Sequence, residues 1–275
     1  MPVQWSVRHG KPICISGASS PPSRWISEVR GCRTEHRGAG RGRLHPGLRH
    51  PWKVQPTRHK SGALVYSDVI YSRPREHRPL RLDLYLPSAD VKEGQRPLIL
   101  FAHGGGWRVG HKRRNGAILD FPGLLARIAQ QQGFAIASIE YRLSREATFP
   151  APVEDMRAAL TYLRSQAARY GVDPNRVGLW GASAGGQVAL MAALRCEADP
   201  TDRRCVQAVA SWYGVTDFHI LRRDRPAGSP ANAEVEYLAC GTEPCPDQVL
   251  RTASPITYVD RHDPPVLLVH GTADK

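Results

Sequence analysis

At 275 residues the chain is long enough for one large core or two small ones, and its 41% hydrophobic and 23% charged residues exclude a wholly disordered or fibrous protein. No run of about 18 apolar residues is present to cross a membrane as a helix. The formal charge of +13 is unevenly spread: residues 1–60 hold 12 of the 38 Lys and Arg against Glu28 and Glu35 alone, a local +10, which leaves 26 minus 23, or +3, for residues 61–275.

Residues 1–60 also contain 7 Gly and 7 Pro and show neither a helical nor a strand period, so they bury too little to offset ordering entropy. They are expected to form a disordered basic extension ahead of one domain, 61–275. Such an arm could neutralise phosphates, with Trp5, Trp25 and Trp52 stacking on bases. Arginine-rich segments are far more often simply solvated, so nucleic acid is not the expected partner. No signal peptide is visible, because the uncharged stretch 12–23 has only Ile13, Cys14, Ile15 and Ala18 as apolar residues. A transit peptide would match the arginine excess but not the helix breakers. The next Met after Met1 is Met156, so another start cannot be located. The compartment stays open: cytoplasmic, or secreted or periplasmic if the start is misassigned.

From residue 63 the punctuation is regular. Residues 64–71 and 80–86 alternate apolar with polar and predict an antiparallel opening pair. The short apolar run 98–102 predicts a strand buried on both faces, followed by a helix over 123–132 and a buried strand over 134–139. Val153, Met156, Leu160, Leu163, Ala167 and Tyr170 form one stripe of an amphipathic helix. Strand 177–180, helix 184–195, strand 206–213, a long irregular stretch to about 255 and strand 266–270 complete the order. Alternating strands and helices predict an α/β fold with a mostly parallel, doubly wound sheet.

The chemistry falls at strand ends. Gly181-Ala182-Ser183-Ala184-Gly185 is a G-x-S-x-G between a predicted strand and a predicted helix, where a strained turn lifts the Ser hydroxyl above the sheet. By composition this pattern arises by chance in about one such chain in seven, so it is weak alone. A second motif strengthens it. His103-Gly104-Gly105-Gly106-Trp107 follows the third predicted strand, where glycines can aim backbone N–H groups at one point and stabilise an oxyanion. A flexible loop is the bland alternative. A phosphate cradle is disfavoured, since neither G-x-G-x-x-G nor a following Lys-Ser or Lys-Thr occurs.

HGGGW at 103–107, EYRLS at 140–144, FPAPVEDMRAAL at 149–160, YGVDPNRVGLWGASAGG at 170–186, SPITYVD at 254–260 and PPVLLVHGTADK at 264–275 resemble the α/β-hydrolase carboxylesterases. The likeness is to the bacterial feruloyl and acetyl-xylan esterase group, close to the hormone-sensitive-lipase-like esterases, and it runs from about residue 64 to the last. Kynurenine formamidases share HGGxW. The resemblance implies Ser183 as nucleophile, the N–H groups of Gly105, Gly106 and Ala184 as oxyanion hole, and Asp274 as the acid that orients a catalytic histidine. Asp274 also follows a predicted strand and comes after Ser183, as chain order in this fold requires. Asp217 is its rival. Trp107 and Asp217 are further candidates for lining the substrate site, and residues 214–253 are expected to cover its mouth.

The sequence departs from that family in one respect. The order is Ser, acid, His, yet only Lys275 follows Asp274. His103 is expected to shape the glycine loop and His270 to line the loop before Asp274, while His219 and His262 match no family position. The last strand and helix are also absent, so the chain reads as a C-terminally truncated fragment, weak or inactive, whose sheet ends in an exposed edge. Cys196 with Cys205, and Cys240 with Cys245, suit disulfides about as well as separate thiols. Zinc would need C-x-x-C, which does not occur. The expected activity is hydrolysis of short-chain or carbohydrate-linked acyl esters (EC 3.1.1 class) through an acyl-enzyme. No cofactor or metal is implied, the partner is a small-molecule or carbohydrate ester, and the oligomeric state is open. The alternatives are a kynurenine-formamidase-like amide hydrolase and a noncatalytic hydrolase-like binding protein.

Overall fold

The continuous apolar run 98–102 is divided between two cores. In the computed structural model, which describes residues 55–88, 96–195, 206–224, 233–241 and 245–272, Leu98, Leu100 and Ala102 join one buried cluster and Phe101 the other, as successive strand side chains must. The extension up to residue 54, the pair Cys196 and Cys205, and Asp274 lie outside the described residues.

Eight described strands form one sheet: β1 (Thr57–Arg58), β2 (Leu64–Ser72), β3 (Leu80–Leu86), β4 (Arg96–Ala102), β5 (Ala135–Ile139), β6 (Val172–Ala182), β7 (Ala208–Trp212) and β8 (Val266–Val269). Their order is β1-β2-β3-β5-β4-β6-β7-β8. β2 pairs antiparallel with β3, and β3 with β5. β5, β4, β6, β7 and β8 run parallel. This is the expected mixed sheet with antiparallel opening strands. It starts before residue 61, since Thr57 pairs with Val65. β6 is longer than the apolar run that announced it, because Val172 already pairs with Arg96 ahead of a register shift. The polar residues between, with Asp173 accepting from the Asn175 amide at 2.8 Å, hide that start in the sequence.

On one face lie α2 (Ala151–Ser165) and α4 (Ala184–Leu194), which pack on each other. The 153–170 stripe is continuous in burial but not in helix: Ala167 and Tyr170 fall on α3 (Ala167–Tyr170), beyond a break at Gln166. α1 (Phe121–Gln132) packs through Phe121 and Leu125 against Phe101, Tyr85 and Ile136. Asp120 caps it by accepting from the Gly123 amide at 3.0 Å, and Gly133 in the left-handed region ends it. The stretch 214–253 holds α5 (Phe218–Arg223), α6 (Ala233–Tyr237) and α7 (Asp247–Ala253), each too short to show a helical period. Its Cys240 and Cys245 are joined as a disulfide. β8 is an edge strand with no outer partner among the described residues, and its four apolar side chains are 43 to 58% exposed.

The segment after the glycine loop is anchored by charge. Lys112 is buried, and its ammonium lies 2.8 Å from Asp68 and 2.8 Å from Glu140, with Asp83 at 3.9 Å. Arg113 bridges Asp83 at 2.5 Å and Asp68 at 2.8 Å. Burial pushes the Asp68 carboxyl up, but hydrogen bonds from Lys112 and Arg113 outweigh it and hold the group at about 2. Glu140 is likewise lowered, its partial burial overcome by Lys112. Carboxylates lowered on folding contribute stability that is complete above their unfolded values and lost as pH falls through the folded ones. The urea midpoint is therefore expected to fall between about pH 4 and pH 2. Asp155, pushed up by burial despite Arg142, acts the other way, so the variant Lys112→Met isolates the cluster. It should flatten that acid limb and, by taking the buried cation from carboxylates that keep only Arg113 and Arg78, destabilise by about 3 kcal/mol at neutral pH. An unchanged acid limb in Lys112→Met would refute this origin.

Candidate active site

β6 runs straight into α4, and the residue at the joint is Ser183. Its φ of 53° and ψ of −122° are strained for a side chain with a Cβ, at a cost of about 1 to 3 kcal/mol. Surrounding bonds hold it there. The Ser183 amide donates to the Trp212 carbonyl at 2.8 Å, and the Ser183 carbonyl accepts from Gly186 at 2.8 Å and Gln187 at 3.2 Å. Close approach explains the flanking glycines: a Cβ on Gly185 would lie 2.2 Å from the Ala102 carbonyl oxygen, at the end of the central strand β4. Ser183 thus sits where β6 and β4, adjacent in the sheet, both end.

The glycine loop leaves β4 at that same point. Gly105 has φ 128°, and a Cβ there would come within 1.9 Å of the Val109 oxygen. Its carbonyl accepts from Arg108 at 3.2 Å and Val109 at 3.1 Å, closing a tight turn. Gly104 touches the elbow, with the position of an added Cβ 3.2 Å from Ser183 Cβ. Among the described residues, the amides of Gly105 and Gly106 donate to no backbone or side-chain acceptor. Ala184 opens α4, where an amide has no intrahelical partner by position. Donors with no protein acceptor, beside a serine on a strained turn, are the elements needed to hold a developing oxyanion.

His103 is buried and shapes the loop. Its Nδ1 donates to the Gly104 carbonyl at 2.8 Å, and its ring stacks on Tyr141 at 4.4 Å. Burial lowers its pKa to about 4, so it is neutral at physiological pH. Tyr141 in turn donates to the His103 carbonyl at 2.8 Å. Asp217 caps α5 by accepting from the His219 amide at 2.8 Å, and His219 spans Asp217 at 3.2 Å and Asp247 at 2.7 Å. No described histidine is hydrogen-bonded to the Ser183 hydroxyl. Trp107 is buried: its ring lies 4.5 Å from Tyr237 at 2° and its indole donates to Gln187 at 3.1 Å.

Gln187, Tyr237 and Glu236 were not singled out from the sequence, although they contact the loop or its neighbours. Gln187 carried a signal, as the single strongly polar residue of the otherwise small and apolar α4. Tyr237 and Glu236 carried none, because α6 is five residues long.

A mixed sheet with antiparallel opening strands, a serine on the sharp turn after one central strand and a glycine loop after its neighbour define the α/β-hydrolase class. The chain belongs to the BD-FAE family, whose sequence profile matches residues 82–275. It is 29% identical over 242 residues to esterase LipQ of Mycobacterium tuberculosis, covering 80% of this chain and 51% of that one. To esterase LipC of the same organism it is 30% identical over 197 residues, covering 67% and 46%. The chain therefore spans about half the length of the curated relatives it matches. Among solved structures it resembles a truncated carbohydrate esterase from gut microbiota, with TM-score 0.59, 27% identity and coverage of 76% of this chain and 77% of that one. It also resembles Thermogutta terrifontis esterase 2 phosphorylated by paraoxon, with TM-score 0.55, 28% identity and coverage of 77% and 71%. No helix among the described residues is long and apolar enough to cross a membrane.

Proposed function

We propose that the protein is a serine carboxylic ester hydrolase. Ser183 Oγ attacks the ester carbonyl and loses its proton to a base; the amides of Gly105, Gly106 and Ala184 hold the oxyanion. The alcohol leaves with a proton, and water then releases the acid from the acyl-enzyme. Asp274 is the acid that orients the base, with Asp217 already engaged at the start of α5. The observation that carries this reading is the close approach of the glycine loop to the strained Ser183, where a Cβ added to Gly104 would lie 3.2 Å from the Ser183 Cβ. Short-chain and carbohydrate-linked acyl esters are the proposed substrates, supported by likeness to a carbohydrate esterase and by relatives named esterases.

A panel of acetyl, butyryl, feruloyl and long-chain esters, run beside N-formylkynurenine and a peptide amide, tests the substrate class. A serine hydrolase site stripped of its base still retains about 10³- to 10⁴-fold catalysis over water through oxyanion donors and binding, so the panel ranks substrates at high enzyme concentration whichever group serves as base. Preference for acetyl or feruloyl esters is expected. Preference for the formamide or the peptide would overturn the substrate class, and no hydrolysis above background anywhere would favour a noncatalytic binding protein.

A further inference from the structure

Gln187 is fully buried on α4, one turn beyond Ser183, and both the oxygen and the nitrogen of its side-chain amide are engaged. The Oε1 atom accepts from Trp107 Nε1 at 3.1 Å and from the Tyr237 hydroxyl at 3.1 Å; Nε2 donates to the Ala253 carbonyl at 2.9 Å. One side chain thus joins the nucleophile helix, the glycine loop, α6 and the end of α7. The loop needs such an anchor, since Gly105, Gly106 and Trp107 are successive residues with φ of 128°, 58° and 57°, a run that backbone preference does not hold by itself.

α6 closes over the same loop. Glu236 pairs with Arg108 at 2.9 Å and accepts from the Ser144 hydroxyl at 3.2 Å. The Phe149 amide donates to the Tyr237 carbonyl at 2.7 Å. Ala233 Cβ stands 3.1 Å from the position of an added Cβ on Gly106. Phe218 of α5 lies against the indole of Trp107 at 5.5 Å.

We infer that Gln187 is a positioning residue for the oxyanion donors, clamping Trp107 between α4 and α6 so that the amides of Gly105 and Gly106 are aimed before substrate arrives. The inference rests on the ester-hydrolase reading for its kinetic consequence and on geometry alone for the clamp. Removing the amide leaves two buried donors, the indole N–H and the tyrosine O–H, without their acceptor. The loop then gains alternatives to its native aim. A misplacement near 1 Å costs on the order of 10²-fold in rate, and it affects the transition state more than ground-state binding.

The test uses the whole chain and two readouts. Gln187→Leu is expected to lower kcat for p-nitrophenyl acetate about 10- to 100-fold with KM within about twofold. It should also raise amide hydrogen exchange over residues 104–110 by about tenfold or more while α1 exchanges as before. Gln187→Glu keeps an oxygen acceptor for Trp107 and Tyr237 and, as the protonated acid, a donor for the Ala253 carbonyl, so below the pH at which it ionises it should recover most of the loop protection. If Gln187→Leu does not fold, Trp107→Phe, which removes the indole N–H, takes its place with the same expected directions. Unchanged exchange over 104–110, a rise of equal size across the whole sheet, or a change in KM alone would overturn the proposal. If the wild-type chain hydrolyses no ester, the reaction reading fails and the exchange pattern alone decides the clamp.

Discussion

Hydrolysis of p-nitrophenyl acetate by the 275-residue chain is expected to run about 10⁴- to 10⁶-fold below that of an esterase with a complete Ser, acid and His set. Members of such a set act as a unit, so a chain in which no histidine serves as base would lose nearly the whole contribution. After Ser183 the sequence holds His219, His262 and His270. None is hydrogen-bonded to the serine hydroxyl, and His219 is held between Asp217 and Asp247. Ser183→Ala should then change the residual rate by less than about tenfold, since a hydroxyl without a base adds little. Imidazole supplied from solution is a general base and should raise turnover of the chain, after subtraction of its own reaction with the ester. That increment should be missing in Ser183→Ala. Robust turnover without imidazole that Ser183→Ala abolishes would show that a histidine of this chain serves as base. An equal imidazole increment in both proteins would remove Ser183 as nucleophile.

Gly185→Ala is expected to destabilise the fold by about 3 kcal/mol or more, and to leave little folded protein if the native margin is small. The added Cβ would stand 2.2 Å from the Ala102 oxygen, 2.5 Å from the Ala102 carbonyl carbon and 2.5 Å from the His103 oxygen. All three are backbone atoms at the end of a strand paired on both sides, so no side chain can rotate away. α4 would have to withdraw from β4, and with it the elbow from the glycine loop. Gly178→Ala is the control on β6, the strand that leads into the elbow, because a Cβ there meets nothing nearer than the Ala208 oxygen at 3.7 Å. Its effect should stay within about 0.5 kcal/mol. Equal urea midpoints for the two variants would show that the turn relaxes more easily than the contact distances imply.

Both expectations depend on Ser183 and the glycine loop being held from outside their own segments. The elbow leans on Trp212 of β7, the loop on Tyr141, Gln187 and Tyr237, and the segment after it on Asp68, Asp83 and Glu140. Positive φ at Ser183, Gly105, Gly106 and Trp107 is a local cost that these distant contacts offset.

What the amino-acid order determined alone is what local periodicity and turn chemistry can encode. The continuous apolar run from Leu98 to Ala102 marked a strand buried on both faces. The three- and four-residue steps from Val153 to Leu163 marked a helix face, and the small residues around Ser183 and after His103 marked two turns where strands end. Each is decided by steric limits within a few residues. Tertiary structure alone decided which elements became neighbours: β5 between β3 and β4, Gln187 against Trp107 and Tyr237, Lys112 against Asp68 and Glu140, and Cys240 joined to Cys245. The polar partners Trp107 and Gln187 are 80 residues apart, and Gln187 and Tyr237 are 50 apart. A buried donor requires an acceptor but does not specify which one, and only the packing of whole elements supplies it.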